Sequence, residues 1–228
     1  MSTEQRENSP QLPPRKESKV EFLERLNGFG DEDRERVMFA YDLAKAAHRG
    51  QERDGGERYF EHPRAVSLIL MDECQIVDPW IISASLLHDA VEDTIIFGSY
   101  HKLSYSEWIR IARYRIEWAF NDDTADIILS LTQPKVDGEE ILTKKDAEDK
   151  YFENLRNASS DAILVKMADR LHNLRTLNVV DAEKRKRKIE ETTEIYYPIF
   201  EKVGEKYPEE YAYLQSQIEQ TISQLQEE

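Results

Sequence analysis

A single cysteine, Cys74, stands in 228 residues, which excludes an internal disulfide framework and any cysteine-rich zinc knuckle and fits a reducing compartment. The chain lacks an apolar run of the roughly 18 residues that a membrane span needs, and its N-terminus lacks the apolar core of a signal peptide. Cations are scarce too: 31 Lys and Arg stand against 46 Asp and Glu, a net charge of −15. Such a field attracts neither nucleic acid nor an anionic membrane, so a phosphate-bearing ligand requires a metal and a few local cations. These absences describe a cytoplasmic protein with no nucleic-acid and no membrane partner. With 39% hydrophobic and 34% charged residues, the chain suffices for one core of ordinary size with tails.

The organising stretch is residues 78–93, Asp-Pro-Trp-Ile-Ile-Ser-Ala-Ser-Leu-Leu-His-Asp-Ala-Val-Glu-Asp. Asp78 can cap the free amides of a first helical turn, and Pro79 fits the first helical position. From Ile81 to Leu87 the segment is apolar on nearly every side, as in a buried helix. Read as one continuous helix, it then delivers His88, Asp89, Glu92 and Asp93 within a turn and a half, at spacings of three and four. Three adjacent acids repel one another, so the group makes sense mainly around a cation. A His-Asp pair alone is as compatible with a capped surface turn, and the rest of the chain has to decide.

Residues 1–19 are polar, contain Pro10, Pro13 and Pro14, and read as a disordered lead. A helical pattern begins at Val20, and over residues 33–49 Val37, Ala40, Tyr41, Ala44 and Ala47 mark one face, stopped by Gly50. His48, at the end of that face, reads as a packed core residue. The glycine-rich loop 50–62 brings His62 just ahead of a helix opening at Pro63, with Arg53 and Arg58 as the nearest cations for a phosphate. Residues 94–103 read as a loop, and Ser104 with Glu107 forms a capping box for a helix carrying Trp108, Ile111 and Ile116. Further helices are expected at 124–131 and 144–157, separated by an exposed turn at 133–140. In residues 161–177, Leu164, Met167, Leu171 and Leu174 face a core, while Lys166, Asp169, Asn173 and Thr176 share a polar stripe that is either a site wall or a solvated face. His172 lies off that stripe and reads as structural. The basic run 184–188 reads as a solvated turn. Tyr211, Leu214, Ile218 and Ile222 form the apolar face of a last helix, which either covers the domain or pairs with another copy.

Four segments occur in order: Ala-Lys-Ala-Ala-His-Arg-Gly-Gln-Glu-Arg at 44–53, Tyr-Phe-Glu-His-Pro at 59–63, Leu-Leu-His-Asp-Ala-Val-Glu-Asp-Thr at 86–94, and Leu-Val-Lys-Met-Ala-Asp-Arg-Leu-His-Asn-Leu-Arg-Thr at 164–176. Together with residues 191–200, they resemble the hydrolase domain of the RelA/SpoT alarmone family, a branch of the HD-domain metal phosphohydrolases. The resemblance implies an all-α HD-domain helical bundle over residues 20–205, with residues 206–228 a C-terminal helix packed on it. It also implies metal ligands His62, His88, Asp89 and Asp169, with manganese as the usual ion. Glu92 and Asp93 match the acidic pair beside the attacking water. Arg53, Asn173 and Thr176, and also Arg58, Lys166 and Arg175, are the expected substrate contacts. The implied activity is hydrolysis of the 3′-pyrophosphate of ppGpp or pppGpp, by a stand-alone chain without a synthetase half.

The sequence departs from the family pattern where a phosphate-facing lysine is usual, for Asp54 stands there, followed by Gly55. An aspartate exchanges attraction for repulsion. It leaves open another nucleotide substrate, such as ppApp, the 2′-phosphate of NADPH or a nucleoside phosphate. Two further readings, independent of Asp54, are a non-catalytic alarmone-binding domain and a toxin-neutralising role. Residues 95–121 also exceed the family's usual spacing.

Overall fold

A computed structural model describes residues 18–227; most of the expected N-terminal lead, residues 1–17, lies outside them. Ser18 and Glu21 form a reciprocal capping box that starts α1, Lys19–Arg25, one residue ahead of the expected start. Asp31, Glu32 and Asp33 load the first turn of α2, Asp31–Ala47, where acids favour the positive end of the helix dipole.

Asp78 does cap the next core element: its Oδ1 accepts the Trp80 and Ile81 amides at 2.8 and 3.1 Å. The helix that follows, Pro79–Leu87, is buried from Ile81 to Leu87. It is named α4, after α3 at Glu61–Leu68. Helix α4 packs against α2, α3, α7 (Asp122–Leu131) and α9 (Ser160–Arg175). Burial of Ile81, Ile82, Leu86 and Leu87 contributes about 2 kcal/mol each, which makes α4 the axle of the bundle.

Two expectations about this region need correction. The stretch 78–93 is not one helix: α4 ends at Leu87, and α5, Ala90–Asp93, restarts after a turn at His88 and Asp89. The His88 side chain is the local cause, since its Nδ1 donates to the Ser85 carbonyl at 2.8 Å, which occupies an acceptor at the end of α4. Nor does His62 precede its helix, for α3 begins at Glu61. Pro63 is tolerated in the first turn because amides there need no helical acceptor. A π-helical turn, Ile69–Glu73, ends this segment beside Cys74. The Cys74 thiol is buried and pushed up to about 12 by that burial, so it is inert packing.

Ser104 and Glu107 form the expected capping box at α6, Tyr105–Ala119. Helix α8 spans Lys144–Asn157 and buries Tyr151, Phe152 and Leu155. On α9, Leu164, Met167, Leu171 and Leu174 are all buried. Short helices α10 (Ala182–Glu191), α11 (Tyr197–Phe200) and α12 (Val203–Lys206) follow. The last helix, α13 (Pro208–Glu227), lies along α9 with Leu214, Ile218, Ile222 and Leu225 buried. The architecture is an all-α bundle, and no described helix is long and apolar enough to cross a membrane.

Candidate metal and nucleotide site

Because α3, α4 and α9 meet in the core, their polar side chains converge. His62 Nε2 lies 3.1 Å from Asp169 Oδ1 and 3.5 Å from Asp89 Oδ2. His88 Nε2 lies 3.2 Å from Asp89 Oδ1 and 3.8 Å from Asp169 Oδ1. Donor atoms of His62, His88 and Asp89 fall within 4.8 Å of one another, the spacing of ligands around one ion. His62, His88 and Asp169 are only 3%, 2% and 3% exposed, so bulk water screens the charges that gather there only weakly.

The donor set fits a cation on structural grounds. The Nδ1 hydrogen of His88 goes to the Ser85 carbonyl, which leaves the other nitrogen, Nε2, aimed at the carboxylates; it is buried and has no hydrogen-bond partner. Burial lowers the His88 pKa, but Asp89 and Asp169 outweigh it and raise it to about 9. A proton there answers the same charge imbalance as a cation. Burial also tends to raise the Asp169 carboxyl, yet the Lys166 ammonium and the two imidazoles hold it well below the carboxylate range. Lys166 Nζ donates to Asp169 Oδ2 at 2.7 Å and Asn173 Nδ2 to Asp169 Oδ1 at 2.6 Å, so the expected polar stripe of α9 is a site wall. Lys166 itself clamps Asp169 beside the Tyr151 and Tyr196 rings.

Both acids of α5 face the same cavity, of about 360 Å³, as the ligand group. Glu92 Oε2 accepts the Gln133 amide at 2.9 Å and Lys135 Nζ lies 3.3 Å from Oε1. Burial raises the Glu92 pKa despite these two contacts. The segment around Gln133, expected to be merely an exposed turn, is thus the latch that holds Glu92. Asp93 Oδ2 accepts from Tyr59 Oη at 2.6 Å, and the same hydroxyl lies 2.9 Å from Asp89 Oδ2. Tyr59 stacks on His48 at 4.6 Å, and His48 Nδ1 donates to Gln51 Oε1 at 2.6 Å. His48 is therefore a platform rather than a ligand, in agreement with its structural reading.

A second cavity of about 410 Å³ adjoins the first and shares Arg53, Arg170, Asn173 and Lys188 with it. The loop ahead of α3 turns tightly at Arg53, whose carbonyl accepts the Gly56 amide at 2.8 Å. Gly56 supplies the φ of +74° that other residues resist. This turn aims Arg53 across to α9, where Nη2 donates to Asn173 Oδ1 at 2.5 Å. Thr176 also lines the second cavity, opposite an apolar wall of Leu174, Leu177, Val179 and Val180. Arg58 does not reach either cavity and pairs with Glu61. Arg175 lines the second cavity but is held by Glu73 in a forked pair at 2.7 and 3.0 Å.

Two residue groups were hidden in the sequence. His172, read as structural and off the polar stripe, places Nδ1 2.8 Å from His62 Nδ1 and 3.4 Å from Arg53 Nη1. Burial, then His62 and Arg53, push its pKa down to about 3, so it is neutral. The basic run of α10 is not simply solvated either: Lys184 and Lys188 line the second cavity, and Lys184 Nζ meets Asp54 Oδ2 at 2.5 Å. That contact holds the Asp54 carboxyl below its ordinary range.

The family model described as HD domain matches residues 40–205. The chain belongs to the HD-domain family. This HD domain is 34% identical over 188 residues to GTP pyrophosphokinase rsh of Brucella melitensis, covering 81% of the chain and 22% of that protein. It is also 34% identical over 172 residues to the bifunctional (p)ppGpp synthase/hydrolase SpoT of Escherichia coli K12, covering 74% of the chain and 22% of SpoT. The chain thus spans about a fifth of the length of these relatives. A solved structure, reported as a metazoan ortholog of SpoT that hydrolyzes ppGpp and plays a role in starvation responses, superposes with a TM-score of 0.57 at 28% identity. The match covers 83% of this HD domain and 94% of that chain.

Proposed function

We propose that this HD domain hydrolyses the 3′-pyrophosphate of guanosine 3′,5′-bis(diphosphate), giving GDP and pyrophosphate, and GTP from the pentaphosphate. One observation carries the reading: a buried group of two imidazoles and two carboxylates opens into a cavity joined, through Arg53 and Asn173, to a second cavity with cations on one side and an apolar wall on the other. The likeness to SpoT and to the metazoan ppGpp hydrolase supports the substrate.

His62, His88, Asp89 and Asp169 would hold a divalent cation, for which manganese suits a mixed nitrogen and oxygen set. When bound, the cation supplies positive charge against phosphoryl oxygens and acidifies water beside it. Glu92 takes the proton of the attacking water, a task matched to a carboxylate whose pKa is raised. Asp93, held by Tyr59, orients that water. Arg53 meets the phosphates from the border of the two cavities, where its planar fork suits two oxygens at once, and the Leu177 and Val179 wall packs the base or ribose.

Asp54 does not undo this arrangement, because Lys184 neutralises it from the opposite rim. An exposed ion pair of this kind is worth about 0–1 kcal/mol, and an ammonium has three donors, so Lys184 can meet a phosphate oxygen while it still screens Asp54. Lys184→Ala is expected to raise KM about tenfold with kcat nearly unchanged, as for loss of a contact made equally in ground and transition states. Equal KM values in variant and wild type would remove Lys184 from the substrate contacts.

The test is product formation by the purified chain with manganese, offered ppGpp, pppGpp, ppApp and NADPH side by side, with and without chelator. Pyrophosphate released from ppGpp only without chelator is the expected result. Turnover of another member alone moves the substrate but keeps the chemistry, and single-turnover silence on all four defeats the hydrolase reading.

A further inference from the structure

Two ring nitrogens face each other across 2.8 Å, Nδ1 of His62 and Nδ1 of His172. At that separation one carries a hydrogen and the other a lone pair. Arg53 Nη1 lies 3.4 Å from the same His172 Nδ1, and a guanidinium donates but does not accept. A guanidinium directed at that nitrogen requires the lone pair to be there. His172 Nδ1 is then the acceptor and His62 Nδ1 carries the hydrogen. This leaves the His62 lone pair on Nε2, the atom 3.1 Å from Asp169 Oδ1 and 3.5 Å from Asp89 Oδ2. The opposite arrangement sets an N–H of His172 against the guanidinium and puts a hydrogen on the atom that must meet a cation. His88 solves the same problem with the Ser85 carbonyl; His62 relies on a side chain that α9 contributes.

We propose that His172 is a positioning residue for the metal site, and that Arg53, which borders the nucleotide cavity, fixes the His172 tautomer and through it the ligand face of His62. This rests on His62 being a metal ligand of the proposed hydrolase, but not on which nucleotide is cleaved. Arg53 touches no ligand atom, yet its removal is expected to weaken the metal.

The experiment titrates manganese into the metal-free full chain by calorimetry, with no nucleotide present. His172→Phe, which removes the acceptor, is expected to weaken manganese binding about 10- to 100-fold, the usual effect of losing a partner behind a ligating imidazole. His172→Asn is expected to stay close to wild type, since its side-chain oxygen takes the place of Nδ1, and Arg53→Met is expected to fall between the two. Nitrogen-15 spectra of the imidazoles in the unaltered metal-free chain supply a readout that does not depend on a variant folding: His172 Nδ1 is expected to carry no hydrogen, its single hydrogen lying on Nε2. A hydrogen on His172 Nδ1 overturns the proposal, as does a folded phenylalanine variant that binds manganese like wild type. A wild-type chain that binds manganese with this histidine dependence but does not cleave ppGpp counts against the substrate alone.

Discussion

Asp89→Asn is expected to leave a folded chain that no longer retains manganese. Among the described residues, Asp89 is the one whose two carboxylate oxygens are divided between the imidazoles, Oδ1 at 3.2 Å from His88 Nε2 and Oδ2 at 3.5 Å from His62 Nε2. The amide keeps the volume but replaces one anionic oxygen with an NH₂ group, which turns a donor hydrogen towards the place where a cation belongs. It also removes a full negative charge from a site whose other carboxylate, Asp169, is already divided between Lys166 and Asn173. The loss should exceed the 10- to 100-fold typical of an outer partner, and hydrolysis should fall to background with it. Elemental analysis of dialysed protein, with circular dichroism as the control for folding, checks this directly. A folded variant that holds manganese at the wild-type level would remove Asp89 from the ligand set. Asp89 sits in a turn rather than inside a helix, so the substitution does not cost helix propensity and the two readouts stay separable.

Local grammar made much of this molecule legible before its fold. Asp78 with Pro79, and Ser104 with Glu107, mark helix starts through hydrogen bonds that span three residues. The helix expected at 144–157 has those bounds, and a capping box of Thr143 and Asp146 starts it. The histidines and acids proposed as ligands were legible because the resemblance carries them in short blocks. What stayed hidden depends on partners far along the chain. Lys184 becomes a cavity cation only because α10 folds back across from Asp54, 130 residues away. The break after Leu87 depends on which acceptor the His88 ring takes. The latch on Glu92 is made by the Gln133 backbone amide, which any residue but proline supplies, so no sequence pattern announces it. His172 did leave a signal. Three residues from Asp169 is about 300° around a helix, only about 60° from the same line, so it belonged at the edge of the polar stripe rather than off it.

Glu92→Gln is expected to separate holding the metal from turning over the substrate. Glu92 is not among the atoms that close around the cation group, yet it faces the same cavity, held by the Gln133 amide and Lys135. Glutamine keeps an oxygen for the amide and leaves the latch intact, so manganese affinity should be unchanged. What it removes is a group able to take a proton from water, which typically supplies about 10²- to 10⁴-fold in rate; kcat should fall by that amount with KM little altered. The pH profile makes the assignment specific. Burial, with Asp89 and Asp93 adding to it, holds the Glu92 carboxyl above the ordinary glutamate value of 4.5 despite Lys135 and the Gln133 amide. The base works ionised, so wild-type activity should decline as pH falls through that raised pKa, and this acid limb should be absent from the residual activity of the glutamine variant. A limb that persists unchanged would assign the titrating base to another group, with Asp93 the next residue to replace.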